Sequence, residues 1–291
     1  MADATTWLGS GRNLDNVCVG RGQGSAQKEL KAESMGRLLR TIEGEIIPRL
    51  VLALQTAPEP AVLKGKAHSG AEEDDVTEFA RLVAAHDVSV ATAYLNALLH
   101  RGIALEAIYL ELLAPAARLL GEWWKQDLKD FTEVTSGLCR MHQLLHEFSP
   151  TFLHDAPPAA PDRCVLLVPM PGEQHSFGLI MVAEFFRRAG WDVWDLHPST
   201  SGDLMGVVRK QWFSVIGVSL SCQSRIEELK PLIDAARETS RNKSVCVMVG
   251  GQPFIGHPEQ VAAVGADATA SDGRRAALEA NRLLTSLGRR V

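Results

Sequence analysis

No run in this 291-residue sequence approaches the roughly 18 uncharged apolar residues of a membrane span. The opening residues mix Asp, Arg, Asn and Gly without the apolar stretch of a secretory leader. Basic clusters are missing too. Lys and Arg go no further than pairs such as Arg187-Arg188, Arg209-Lys210 and Arg274-Arg275, and 30 of them face 35 Asp and Glu, for a formal net charge of −5. That balance excludes a general electrostatic grip on nucleic acid phosphates or on an anionic membrane. The five cysteines, Cys18, Cys139, Cys164, Cys222 and Cys246, form no CxxC pair and are odd in number. Both facts argue against a zinc site and against a secreted disulfide framework. The Gly-rich start holds neither a phosphate-binding loop nor a dinucleotide fingerprint between a strand and a helix, so nucleotide hydrolysis has no support. The expectation is a soluble chain that stays in a reducing cytoplasm.

The sequence does have 46% hydrophobic residues, ample for packed cores, and a length that suits about two domains. Residues 1–27 read as a polar leader or a partner-contacting tail, a helix is expected over 33–55, and the Pro, Gly and charge of 56–73 mark a linker. A second linker spans 154–162. Between them, apolar residues recur at helical spacing: Ile108, Leu112, Leu119 and Trp123, then Phe131, Val134, Leu138, Met141, Leu145 and Phe148. With helices near 75–84 and 87–101, the latter capped by Asp87, this predicts a bundle of about four helices over 74–153, with Pro115 as a potential kink in the third. The region 1–73 is set apart as leader, helix and linker.

From Arg163 the pattern changes to short apolar runs, CVLLVPM, WDVWDL, SVIGVSL, SVCVMVG and the weaker DATA. Each precedes a helix-like stretch, at 178–189, 202–212, 225–239, 257–264 and 273–287. Five strands alternating with five helices predict a doubly wound parallel sheet over 163–291, so the fold class is an all-α bundle followed by an α/β domain. Ligands of such sheets bind beyond the carboxyl ends of the strands, where strand order reverses. The loop after the first strand carries Glu173, Gln174, His175, Ser176 and Gly178, a metal-capable imidazole two residues from a carboxylate that could orient it. The loop after the third strand offers Ser219 and Ser221, and that after the fourth Gly250-Gly251, where a bulky group could approach the backbone. Each has an ordinary reading: a solvated histidine, isolated hydroxyls, a tight turn. Their common edge raises the odds of a site. Trp123 and Trp124 alone read as bundle core, and His142 with His146 as packing or surface residues. Cys222 lacks a visible base for a nucleophilic role.

Taken together, Glu173-x-His175-x-x-Gly178, the serine loop and Gly250-Gly251 behind a helical bundle resemble the cobalamin-binding module, over about 74–291. That family's motif is D-x-H-x-x-G, then S-x-L and G-G. The resemblance implies that His175 replaces the cofactor's own benzimidazole on cobalt and that Glu173 orients it. It also implies that Ser219 and Ser221 contact the displaced tail, whose channel runs past Gly250 and Gly251. Glu173 stands where methyl-transferring members have Asp, as Glu does in light-sensing members, and Ser219-Leu220-Ser221 lacks the leucine that ends S-x-L. Leu120-Gly121-Glu122-Trp123-Trp124 followed by Asp130-Phe131-Thr132-Glu133-Val134-Thr135 is similar to the AerR/PpaA group of cobalamin-dependent antirepressors of photosynthesis genes. Light-sensing repressors like it carry a Glu-His pair where this chain has Val134-Thr135, so their photochemistry is not carried over.

The resemblance implies a non-enzymatic regulator, responsive to light or cofactor state, that binds a transcription repressor protein and not DNA. Trp123, Trp124 and Phe131 would cap the upper cobalt face. Its alternatives are a corrinoid methyl carrier serving a methyltransferase, and a haem-binding sensor of the same fold.

Overall fold

The computed structural model describes residues 73–173 and 176–288. The leader, the helix expected over 33–55 and the linker as far as residue 72 lie outside the described residues, as do Gln174 and His175.

Helices α1 (Glu73–Ala85) and α2 (Val88–His100) come first. Asp87 takes the N-cap position of α2 with extended backbone, but its side chain makes no capping hydrogen bond, in contrast to the expectation. The third helix, α3, runs through Leu105–Ala107, a π-helical Ile108–Leu113 and Ala114–Lys125. The wider π turns lie directly ahead of Pro115, which has no N–H for an i→i−4 bond. Its C-terminus closes in a Schellman arrangement: Leu128 N donates to Trp123 O (2.8 Å), Asp127 N donates to Trp124 O (3.1 Å), and Asp127 adopts φ 56°. Three residues on, α4 (Phe131–Phe152) starts with a capping box, Glu133 N donating to Asp130 Oδ1 (2.8 Å) and Asp130 N to Glu133 Oε2 (3.0 Å). Lys129 adds an ion pair to Glu133 at 2.6 Å.

The α/β part follows as β1 (Cys164–Pro169), α5 (Phe177–Arg188), β2 (Asp192–Asp195), α6 (Ser201–Lys210), β3 (Val215–Ser219), a 3-10 turn (Gln223–Glu228), α7 (Leu229–Thr239), β4 (Cys246–Gly250), a second 3-10 turn (Gln252–Phe254), α8 (Pro258–Ala263), β5 (Ala268–Thr269) and α9 (Gly273–Gly288). All four strand pairings are parallel in the order β2-β1-β3-β4-β5, so the order in which strands are added reverses between β1 and β3. β1, β3 and β4 are short apolar runs buried on both sides, as covered parallel sheets require, whereas the edge strand β2 is largely exposed. Alternate residues serve opposite faces. Leu166, Val168, Ile216 and Val218 pack with Leu204, Val208, Leu232 and Ile233 of α6 and α7, while Val165, Leu167, Val215 and Met248 pack with Leu179, Ala183 and Phe186 of α5 and with Ala276 and Ala280 of α9.

Helix α5 belongs to two cores. Its other side places Phe177, Met181 and Phe185 in the bundle core with Tyr109, Met141, Leu145 and Phe152. Tyr109 stacks on Phe152 at 4.4 Å, Phe185 meets Phe152 edge-on at 5.1 Å, and the Arg188 guanidinium lies 4.5 Å over the Phe152 ring. The carboxylate of Glu184, 6% exposed, accepts from Ser149 Oγ (2.6 Å) and Arg187 Nη1 (2.8 Å), so this buried charge is compensated.

Contacts between α4 and α5 advance in step: His142 against Phe177, Ser149 against Glu184, Phe152 against Arg188. The two helices therefore run parallel. Phe131 precedes His142 by eleven residues, about 16 Å at 1.5 Å rise per residue. The first turns of α4 thus project beyond the start of α5, past the carboxyl edge of the sheet.

Candidate functional site

The loop after β1 opens with Pro171-Gly172, and Glu173 N donates to Met170 O at 2.9 Å. Gly172 has φ +84°, so proline then glycine occupy the two central positions that a type II turn favours. This turn carries Glu173 to the strand-order reversal. There its carboxylate, with the side chain 6% exposed, accepts from Ser221 N at 3.0 Å (Oε2) and 3.3 Å (Oε1). Met170 N donates to Ser219 O (2.7 Å) and Leu220 N to Gly250 O (2.9 Å), which extends strand pairing into the three loops. Glu173, Ser219, Ser221 and Gly250 are thereby brought to one edge. Ser221 enters through its backbone amide, a role the sequence did not indicate.

The two glycines after β4 differ. Gly251 has φ +106°, and an added Cβ would collide with the carbonyl oxygen of Leu220, so the close approach of two loops requires glycine there. At Gly250 an added Cβ meets nothing within 4 Å, and the same holds for Gly178 in the first turn of α5. Open space beside the backbone at both positions leaves room for a group lying against the sheet edge.

Above this edge stands the overhanging end of the bundle. Trp124 is 50% exposed, Leu128 62% and Phe131 69%, whereas Trp123 is half-buried against the bundle core. Phe131 therefore leaves the buried stripe that its spacing from Val134 predicts. It is the first residue of α4 and lies past the last layer of the bundle. The Schellman turn and the capping box fix this apolar end in place, and large apolar side chains held exposed on a well-capped turn mark a contact surface. Leu128 was not indicated by the sequence pattern, since a lone leucine in a polar turn gives no periodicity.

Arg225 also escaped the sequence reading. Its guanidinium forks onto Glu228 (Nε–Oε1 3.0 Å, Nη2–Oε2 2.8 Å), donates from Nη2 to Pro171 O (3.1 Å) and places Nη1 3.9 Å from Glu173 Oε1. The hydrogen bond to Glu228 raises its already high pKa, and Arg225 in turn lowers that of Glu228. In one dimension Arg225 and Glu228 look like any surface i,i+3 pair. Next to it, Cys222 is exposed, and its thiol is lowered by the hydrogen bond with the Ser224 hydroxyl. Burial pushes Cys164 up to about 12 and Cys246 up to about 11.

A separate cleft of about 620 Å³ lies beyond β5, lined by Phe254, Ile255, Thr269, Ser271 and Leu278 among others. It shares no residue with the loops at the strand reversal. Among the described residues no group of three or more His, Cys, Asp or Glu could hold a metal ion, and no helix is long and apolar enough to cross a membrane.

The B12 binding domain family matches residues 163–280. That stretch of the chain is a B12-binding domain. It takes in every sheet-edge residue named above. The fold likeness agrees with it: the monomethylamine corrinoid protein of Methanosarcina barkeri superposes with a TM-score of 0.61 over 72% of this chain and 98% of that one, at 17% identity, a likeness of fold alone. In sequence, the chain is 27% identical over 170 residues to a 20.5 kDa protein of Rhodobacter capsulatus from the bchF-crtJ intergenic region, covering 58% of this chain and 88% of the relative.

The cofactor of the B12-binding domain is cobalamin, and the described residues fit it. Gly178 and Gly250 offer the clearance that a Cβ would reduce, and the apolar end of the bundle overhangs the same edge.

Proposed function

We propose that this chain is a cobalamin-dependent regulator that responds to light or to cofactor state and acts as an antirepressor through a protein partner. The observation that carries this reading is the pairing of a B12-binding domain with a sequence relative from the bchF-crtJ intergenic region. The likeness of Leu120–Trp124 and Asp130–Thr135 to the AerR/PpaA group supports it.

When bound, cobalamin would supply a cobalt centre whose ligands can exchange. His175 would hold the cobalt, and Glu173 would orient that imidazole from a position already fixed by the Ser221 amide. Gln174 and Ser176 flank the imidazole. Gly178, Ser219, Ser221, Gly250 and Gly251 line the path of the tail. Trp123, Trp124 and Phe131 would cover the bound cofactor, exclude water from it and sense a change in its ligand. Only a ligand with different contacts in two bundle arrangements can shift the balance between them. The chain acts by binding and not by catalysis. Its contact with a transcription repressor falls to residues 1–55, which precede the B12-binding stretch.

Absorption spectra of the purified protein, before and after illumination, test the reading. A corrinoid spectrum that shifts on illumination or upper-ligand exchange is expected, altered in His175→Ala; a haem spectrum, or an unaltered variant, would overturn it. Deleting 1–55 should spare cobalamin and weaken repressor binding, and salt-sensitive promoter binding by this protein alone would contradict an indirect output. The methyl-carrier reading rests on the fold likeness, and methyl transfer to an acceptor would favour it.

A further inference from the structure

A buried carboxylate beside a metal-binding loop needs compensation, and one backbone amide supplies little. Glu173 has the Ser221 N–H on one side, and its other flank faces Arg225, 3.9 Å away. Arg225 comes from the 3-10 turn after β3, on the far side of the strand-order reversal. Its fork onto Glu228 fixes the plane of the guanidinium, so that the remaining edge points at the loop after β1. There it holds the Pro171 carbonyl at 3.1 Å. One cation thus grips the turn at its peptide and at its carboxylate, two residues before His175.

We propose that Arg225 is a positioning residue for cobalt ligation: it holds the Pro171-Gly172-Glu173 turn so that His175 is presented in one orientation. The inference rests on the reading of His175 as the axial ligand. Arg225 acts through Glu173 and the turn.

The full-length protein is titrated with aquocobalamin, and affinity, the absorption spectrum of the bound cofactor and the cofactor-free melting temperature are recorded. Arg225→Gln removes the charge and keeps a donor. Its melting temperature should stay within a few degrees of the parent, while affinity falls about 10–100-fold, as for outer partners of metal ligands. The spectrum should move toward that of His175→Ala. Arg225→Lys keeps the charge without the fork and should fall between parent and glutamine variant. Glu228→Gln, which loosens the fork but leaves the charge of Arg225 beside Glu173, should fall between the parent and Arg225→Gln.

A parental spectrum and affinity in Arg225→Gln, beside an altered His175→Ala, would overturn this inference alone. A lysine variant worse than the glutamine one, or, where the glutamine variant does not fold, a lysine variant with the spectrum and affinity of His175→Ala, would overturn the role of the charge. If His175→Ala itself leaves the spectrum unchanged, the ligand assignment fails and the role of Arg225 falls with it.

Discussion

The seam between α4 and α5 and the overhanging end of the same bundle are built from similar residues to opposite effect. At the seam, Tyr109, Phe152 and Phe185 interlock, and the buried charge of Glu184 has both a hydroxyl and a guanidinium partner. At the overhang, Trp124, Leu128 and Phe131 are equally bulky and largely uncovered, although the turn that carries them is capped at both helix ends. Aromatic content alone does not separate core from surface here. What separates them is whether a second helix passes on the far side, and α5 begins only at Phe177.

The largest test of this contrast is Phe152→Ala, which should cost about 3–5 kcal/mol in cofactor-free protein, read as a lower urea midpoint. Phe131→Ala should stay within about 0.5 kcal/mol yet weaken cobalamin binding; equal costs at the two positions would break the comparison. The two glycines repeat it on a smaller scale. Gly251→Ala should destabilise by at least about 2 kcal/mol, since both φ and the Leu220 carbonyl oppose it. Gly250→Ala should leave stability nearly unchanged and lower cobalamin affinity.

At the overhang, Asp127 holds a left-handed conformation that a Cβ disfavours, so Asp127→Gly should stabilise by about 1 kcal/mol, seen as a raised melting temperature. Thiol chemistry gives the mildest readout. Among the described cysteines, Cys222 should alkylate first and the buried Cys246 last at neutral pH. Because the native pKa of Cys246 and Cys164 lies above the unfolded value of about 8.5, the native state holds more protons in the alkaline range. Their contribution is therefore complete below that value and is lost as pH rises toward about 11 for Cys246 and about 12 for Cys164. Urea midpoints across that range should fall with pH.

Much of this was legible in one dimension. Strand runs such as Val165–Val168 are short, apolar and followed by amphipathic helices, and the Pro171-Gly172 pair signals its own turn. Glu173, Ser219, Ser221 and Gly250 could be gathered at one edge because parallel strands end together. The exposure of Phe131 was not legible, since its step to Val134 matches the buried series and periodicity carries no information about where a bundle stops. Arg225 was hidden for a different reason: its partners Pro171 and Glu173 are remote in sequence, and only the strand reversal brings them alongside.

The double allegiance of α5 also bears on how such proteins can be recombined. The chain crosses from bundle to sheet at 154–162, but the cores do not part there, because α5 supplies side chains to both. A cofactor-binding half transplanted without its bundle would present Phe177, Met181 and Phe185 to water as an adhesive stripe. Inheritance should therefore treat the two halves as a single cassette.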